Sequence, residues 1–364
     1  MRVLQAALKS RAAAIIFLVV ICAVDIFAAV WVQFSAGKMP VEKDALIKST
    51  FITNVNSMKL TGLIAAPHTP FHGDFSLNLD CVPEQAAHLA ANGVSGAFVA
   101  GTTGECHSLT TDERVELFVA WGEAARAHGV KFIAHIGHNN LPDARSLAAA
   151  AQRAGADAIS AMAPNFFKPK DAAAMVDWFA RITEPVRGMP FYFYDIPVMT
   201  GVTIDTAELV RCVAKKIPGF VGVKYTNMDR AQLRRILEMD DAPDMLFGCD
   251  EELLEGWGLG CRGAVGSTYN FAAPIYHRVM AAYASGDLEK AQRWQKRSLE
   301  MVETIATHGY MQSAKAVMQL VGVNCGPARP PLPQQSAKQL ETLRGELEAI
   351  GFFEWVDEHA TCNE

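Results

Sequence analysis

The chain has 364 residues, 50% of them hydrophobic and 20% charged, with a formal net charge of -6. That is ordinary globular composition with ample material for a core, in one large domain or two smaller ones. The acidic balance and the lack of any Lys/Arg-rich block argue against a nucleic-acid surface and leave small-molecule chemistry open, where an anionic substrate needs a local cationic or N–H-rich site.

The N-terminus stands apart from the rest. Arg2, Lys9 and Arg11 precede an apolar run of 23 residues, Ala12 to Phe34, interrupted by Asp25 and Gln33. It is long enough for a membrane helix of roughly 20 residues. Three readings stay open for residues 1–57: a membrane anchor, a signal peptide with a weak cleavage signal at Ser35-Ala36-Gly37, or an extension foreign to the working protein, with a fresh start at Met58. None of the three carries chemistry.

From Gly62 onward, short β-branched runs alternate with longer Ala-rich amphipathic stretches. The strand candidates are Gly62 to Pro67, Gly96 to Gly101, Phe132 to Gly137, Ala158 to Pro164, Phe191 to Pro197, Phe220 to Thr226, Met245 to Gly248 and Gly263 to Ser267. Helices are expected between them, for instance at Asp112 to Ala127 and Pro142 to Ala154, with start signals at Thr110-Thr111-Asp112-Glu113 and at Asp205. Eight such units over residues 58–285 are the pattern of an α/β (β/α)8 TIM barrel. A doubly wound sheet is the alternative, but no GxGxxG follows the first strand. Residues 286–364 then read as a C-terminal helical region, with helices at Asp287 to Thr307, Met311 to Val321 and Ala337 to Ile350 and a Pro-rich break at Pro327 to Pro333. Their apolar faces need a partner, either the barrel or another subunit.

A barrel gathers reactive groups at the carboxyl ends of its strands and in the loops that follow. The second strand runs into Gly101-Thr102-Thr103-Gly104-Glu105, a turn that can aim two hydroxyls and successive N–H groups at a carboxylate or phosphate, or can simply cap the next helix. The fifth carries Tyr194 on the same face as Tyr192, either as a proton relay or as barrel filling. The sixth, Phe220-Val221-Gly222-Val223-Lys224-Tyr225-Thr226, places one amine at the end of an apolar run. Desolvation there lowers its pKa and makes it a candidate Schiff-base former; the plainer reading is a strand-end lysine reaching water. The seventh leads to Gly248-Cys249-Asp250-Glu251 and the eighth to Ser267. The two carboxylates suit either a helix start or the hydroxyls of a polyol.

Other chemistry finds less support. His107, His135 and His138 have no carboxylate spacing that would organise a metal site. The eight cysteines contain no CxxC pair and suit buried thiols in a reducing compartment, Cys106 and Cys249 included. A cytoplasmic location is therefore expected, or a membrane location where residues 12–34 are retained.

Gly101-Thr102-Thr103-Gly104-Glu105, Tyr194-Asp195-Ile196-Pro197 and Gly222-Val223-Lys224 resemble the signature of the dihydrodipicolinate synthase and N-acetylneuraminate lyase superfamily of class I pyruvate aldolases. The resemblance spans about residues 60–350. Synthases of that superfamily usually carry an arginine where Met199 stands. Phe247 to Leu254, Gly263 to Asn270 and Ala163 to Pro169 look instead like the lyase branch, with Asp195 as a departure at a position where lyases often have His or Asn. The resemblance implies Lys224 and Tyr194 as catalytic residues, and Thr102, Thr103, Thr226, Gly248, Asp250, Glu251 and Ser267 as substrate-binding. It also implies retro-aldol cleavage of a sialic acid to an amino sugar and pyruvate, no metal or organic cofactor, and a homotetramer. Two alternatives stay open: another pyruvate-dependent aldolase or dehydratase, and a non-catalytic, membrane-held ligand-binding relative.

Overall fold

The computed structural model describes residues 58–357; the expectations for residues 1–57 lie outside them. Eight parallel strands close into one barrel in chain order. They are β1 (Gly62–Ala65), β2 (Gly96–Val99), β3 (Lys131–His135), β4 (Ala158–Met162), β5 (Phe191–Asp195), β6 (Phe220–Tyr225), β7 (Asp244–Phe247) and β8 (Gly263–Gly266). β8 returns to β1 with Gly263 opposite Gly62, so no edge is left to pair with another chain.

Helices cover the outside. After β1 to β4 come α1 (Val82–Ala91), α2 (Thr111–His128), α3 (Leu141–Arg153) and α4 (Ala172–Thr183). The one-turn α5 (Pro197–Thr200) and α6 (Thr206–Lys216) follow β5, and α7 (Arg230–Leu237), α8 (Leu253–Leu259) and α9 (Ala273–Ala284) follow the last three strands. The sequence's start signals operate as expected. Thr110 and Glu113 form a reciprocal capping box at α2, and the Asp205 carboxylate accepts the Glu208 N–H at α6. Each such cap is worth about 1 kcal/mol.

Alternation along the strands divides the apolar residues in two. Phe98, Ile133, Tyr192, Tyr194, Leu246 and Val265 fill the barrel interior. Val99, Phe132, Phe193, Val223 and Phe247 face outward into the layer shared with the helices. At the amino end of the barrel the Tyr192 hydroxyl donates to Asp244 at 2.7 Å, and the same carboxylate oxygen accepts the Leu60 N–H at 2.9 Å.

The strands stop short of the bounds expected from sequence. β2 ends at Val99 because Ala100 takes a left-handed φ of 54°. β5 ends at Asp195 because Pro197, which has no N–H to give a ladder, opens α5. Beyond the barrel lie α10 (Leu288–Thr307), α11 (Tyr310–Leu320), α12 (Ala337–Ala349) and α13 (Phe352–Val356), the last unplaced by the sequence. Met301, Ile305, Val317, Met318, Leu343 and Phe352 join the same apolar layer as the barrel's outer face, so the barrel itself is the partner that these helices required. Among the described residues no helix is long and apolar enough to cross a membrane.

Candidate active site

Lys224 is 4% exposed, and the β5–β6 register sets Tyr194 directly beside it. Its Nζ lies 4.0 Å from the centre of the Tyr194 ring and 4.3 Å from that of Phe98. Two aromatic faces replace part of the hydration that burial removes. Burial pulls the amine down to about 7, against the pull of the Asp250 charge and, more weakly, of Cys249 and Cys106. A far larger share of the amine is thus neutral near pH 7 than in an exposed lysine, and a neutral amine is a nucleophile toward carbonyls.

Tyr194 joins this group to the turn after β2. Its hydroxyl and that of Thr102 lie 3.3 Å apart, within one hydrogen bond. Thr103 stands next to Thr102, half-buried. Burial pushes the Tyr194 phenol well above its ordinary value, and the bond to Thr102 opposes that shift. The phenol is therefore protonated at rest and can move a proton only by taking one up as it gives one away. Phe98 and His135 hold its ring edge-on, with centroids 5.5 and 5.8 Å away.

Outward from Lys224 opens a cavity of about 520 Å³. Thr226, one strand repeat beyond Lys224, lines it together with Asn227, Gly248, Asp250, Glu251 and Ser267, and Val198, Met228, Val302 and Tyr310 complete the wall. Gly248 is there because nothing larger fits: a Cβ would sit 2.0 Å from Thr226 Oγ1. Gly266 likewise leaves room for Asp250, whose Cγ would lie 2.7 Å from an added Cβ. Asp250 is fixed from the turn after β8, accepting the Thr268 N–H at 2.8 Å and a bond from the Thr268 hydroxyl. Beside it, burial and the Asp250 charge push the Glu251 carboxyl up to about 7. The Ser267 and Tyr310 hydroxyls bond at 2.7 Å.

The expected residues thus fall into two adjoining groups. Thr226, Gly248, Asp250, Glu251 and Ser267 surround the cavity, whereas Lys224, Tyr194, Thr102 and Thr103 are not among its lining residues. The two carboxylates open a helical turn, Asp250–Glu252, yet neither that turn nor α8 has a side-chain cap. Asp195 points to the outer face of β5, where it accepts from Thr206 Oγ1 at 2.7 Å and Asn227 Nδ2 at 3.0 Å, and burial raises its carboxyl above the usual range. Asn227, which lines the cavity, links Asp195 to it.

Sequence reasoning missed Phe98, Asn227, Val302 and Tyr310. Phe98 reads as one more core residue of a short strand. Tyr310 and Val302 come from helices beyond the barrel, and no local pattern marks a side chain whose partner lies 43 positions away. His135 is buried, and burial holds its pKa well below the ordinary value. Among the described residues no three His, Cys, Asp or Glu side chains converge as a metal site.

The sequence model of the dihydrodipicolinate synthetase family matches residues 59–350. N-acetylneuraminate lyase of Danio rerio is 36% identical over 279 residues, which is 75% of this chain and 91% of that protein. The Homo sapiens N-acetylneuraminate lyase is 31% identical over 304 residues, 82% of this chain and 95% of the relative. Among solved structures, Proteus mirabilis N-acetylneuraminate lyase superposes with a TM-score of 0.78 at 33% identity, covering 81% of this chain and 100% of the other.

Proposed function

Because this chain belongs to the dihydrodipicolinate synthetase family, we propose that it is an N-acetylneuraminate lyase, a class I aldolase that cleaves N-acetylneuraminate to N-acetylmannosamine and pyruvate. The observation that carries the reading is a pair of adjoining groups: a buried amine against Tyr194 and, starting at Thr226 two residues further along the chain, a cavity lined by the acidic pair Asp250 and Glu251. Met199, 59% exposed on α5 in place of the synthases' arginine, supports the lyase branch over the synthases.

Neutral Lys224 attacks the C2 keto carbon of the open-chain substrate, and the carbinolamine hydroxyl takes up a proton from solvent and leaves as water to give an iminium, the proton being returned at the final hydrolysis. Thr102 and Thr103, with the backbone N–H groups of their turn, grip the C1 carboxylate. The C4 hydroxyl gives its proton to Tyr194 as the phenol passes its own to the substrate carboxylate. The C3–C4 electron pair moves into the iminium, which becomes a pyruvate enamine as N-acetylmannosamine leaves. Protonation at C3 and hydrolysis release pyruvate and restore the amine. Thr226, Asp250, Glu251 and Ser267, with Gly248 making room, hold the polyol, and no metal or organic cofactor enters any step.

The six described cysteines are all free thiols, which supports a cytoplasmic location. Around the mouth Phe166 is 77% and Phe167 87% exposed, which supports a homotetramer that covers them. Incubation with pyruvate and borohydride tests the chemistry. A reduced pyruvyl adduct on Lys224, with pyruvate release faster from N-acetylneuraminate than from other keto-deoxy sugar acids or 4-hydroxy-2-oxoglutarate, is the expected result. No adduct on Lys224 overturns the mechanism, and a preference for another keto acid overturns the substrate.

A further inference from the structure

The turn that carries Thr102 and Thr103 is bracketed by two non-glycine residues in the left-handed region, Ala100 at φ 54° and Glu105 at φ 55°. Such conformations persist only where the surroundings over-determine them. Here the surroundings include a charge pair reaching in from beyond the barrel. The side chains of Glu105 and Lys315 are each 1% exposed, with Lys315 Nζ 3.0 Å from Glu105 Oε1. Lys315, on α11, also donates to the carbonyls of Thr69 at 2.8 Å and Pro327 at 2.7 Å, so all three ammonium protons are used. The other Glu105 oxygen accepts the Arg329 N–H at 2.8 Å, and Thr69 Oγ1 donates to the Gly104 carbonyl at 2.6 Å. Both carboxylate oxygens are therefore held by the C-terminal segment.

A buried pair of this kind adds little net stability, because desolvating two charges offsets their attraction. What it fixes is geometry. We propose that Lys315 is a positioning residue for the pyruvate half of the substrate, acting through Glu105 to hold the Thr102–Thr103 turn in its gripping conformation. The proposal rests on the reading that this turn holds the C1 carboxylate. It gives the helices beyond the barrel a role in the chemistry, although Lys315 itself touches no reacting atom.

Lys315→Met alone leaves the Glu105 charge buried and unpaired, which threatens folding, so the deciding variant is Lys315→Met/Glu105→Leu, which removes both charges. Glu105→Gln is near-isosteric and keeps an oxygen acceptor for the Lys315 ammonium, whose other two protons go to the Thr69 and Pro327 carbonyls, so it carries the same test should the double variant not fold. The probe is pyruvate: the fraction of Lys224 trapped by borohydride is followed against pyruvate concentration, beside product inhibition by N-acetylmannosamine. The expected result is a half-saturating pyruvate concentration raised about tenfold in the double variant, the loss of one or two good hydrogen bonds to a carboxylate, and less in Glu105→Gln. The trapped fraction at saturation and the N-acetylmannosamine inhibition constant stay as in the wild type. A folded variant with wild-type half-saturation overturns the positioning role, as does equal weakening of both halves, which would mean general loosening. A wild-type protein that pyruvate and borohydride do not label overturns the aldolase reading itself, and this proposal with it.

Discussion

Lys224 titrates near 7 in the folded chain against 10.5 for an ordinary lysine, chiefly because burial strips its hydration. A lysine whose folded pKa is depressed costs stability wherever the unfolded chain holds a proton that the folded one resists. That cost is fully present below about 7 and fades as pH rises toward 10.5. Lys224→Met therefore raises the melting temperature at pH 7 by several degrees, on the order of 1–3 kcal/mol, and melts at pH 7 and pH 10 show the advantage shrinking. An advantage independent of pH would sink this account of the amine. The same substitution removes the borohydride-trapped adduct and lowers kcat by roughly a thousandfold or more. In the wild type, kcat/KM climbs close to tenfold per pH unit below 7 and levels above it, because only the neutral amine attacks. A flat profile between pH 5 and 7 would mean that Lys224 is not the titrating nucleophile.

The β6, β7 and β8 ends shape the cavity as a unit, since each makes room for the next. A Cβ at Gly248 would collide with Thr226 Oγ1, so Gly248→Ala pushes Thr226 aside, destabilises by about 1–3 kcal/mol and raises KM for N-acetylneuraminate, as melts and initial rates would reveal. Glu251→Gln separates the two halves of the substrate. KM for N-acetylneuraminate rises roughly tenfold while the pyruvate concentration for half-maximal trapping is unchanged, and a shift in the latter would place Glu251 on the wrong half. The barrel, and the gathering of Lys224, Tyr194 and the Thr102–Thr103 turn at one end of it, were legible in the sequence because each position rests on local period-two patterning or on a short glycine-bounded turn; their roles came from the family resemblance. The aromatic bed under Lys224, the wall from Val302 and Tyr310, and the outward course of Asp195 were not. They depend on which elements pack together across long sequence separations, and a single motif carries no record of that.

At the scale of the whole molecule, the C-terminal helices both cover the barrel and complete its cavity. The bare ring pair at the mouth, Phe166 and Phe167 with centroids 5.0 Å apart, is apolar surface that water disfavours. Light scattering on the purified protein is expected to give about four times the chain mass, and Phe166→Ser/Phe167→Ser to shift it toward smaller species; an unchanged mass would move the subunit contact elsewhere. The burial of Lys224 beside the cavity has a different consequence. On the proposed mechanism the three-carbon fragment stays covalently held on that amine after the C3–C4 bond breaks, while the amino sugar is held by contacts in the cavity alone. The sugar is then expected to leave before pyruvate, which waits for hydrolysis of the iminium. Steady-state inhibition should then be competitive for pyruvate and noncompetitive for N-acetylmannosamine.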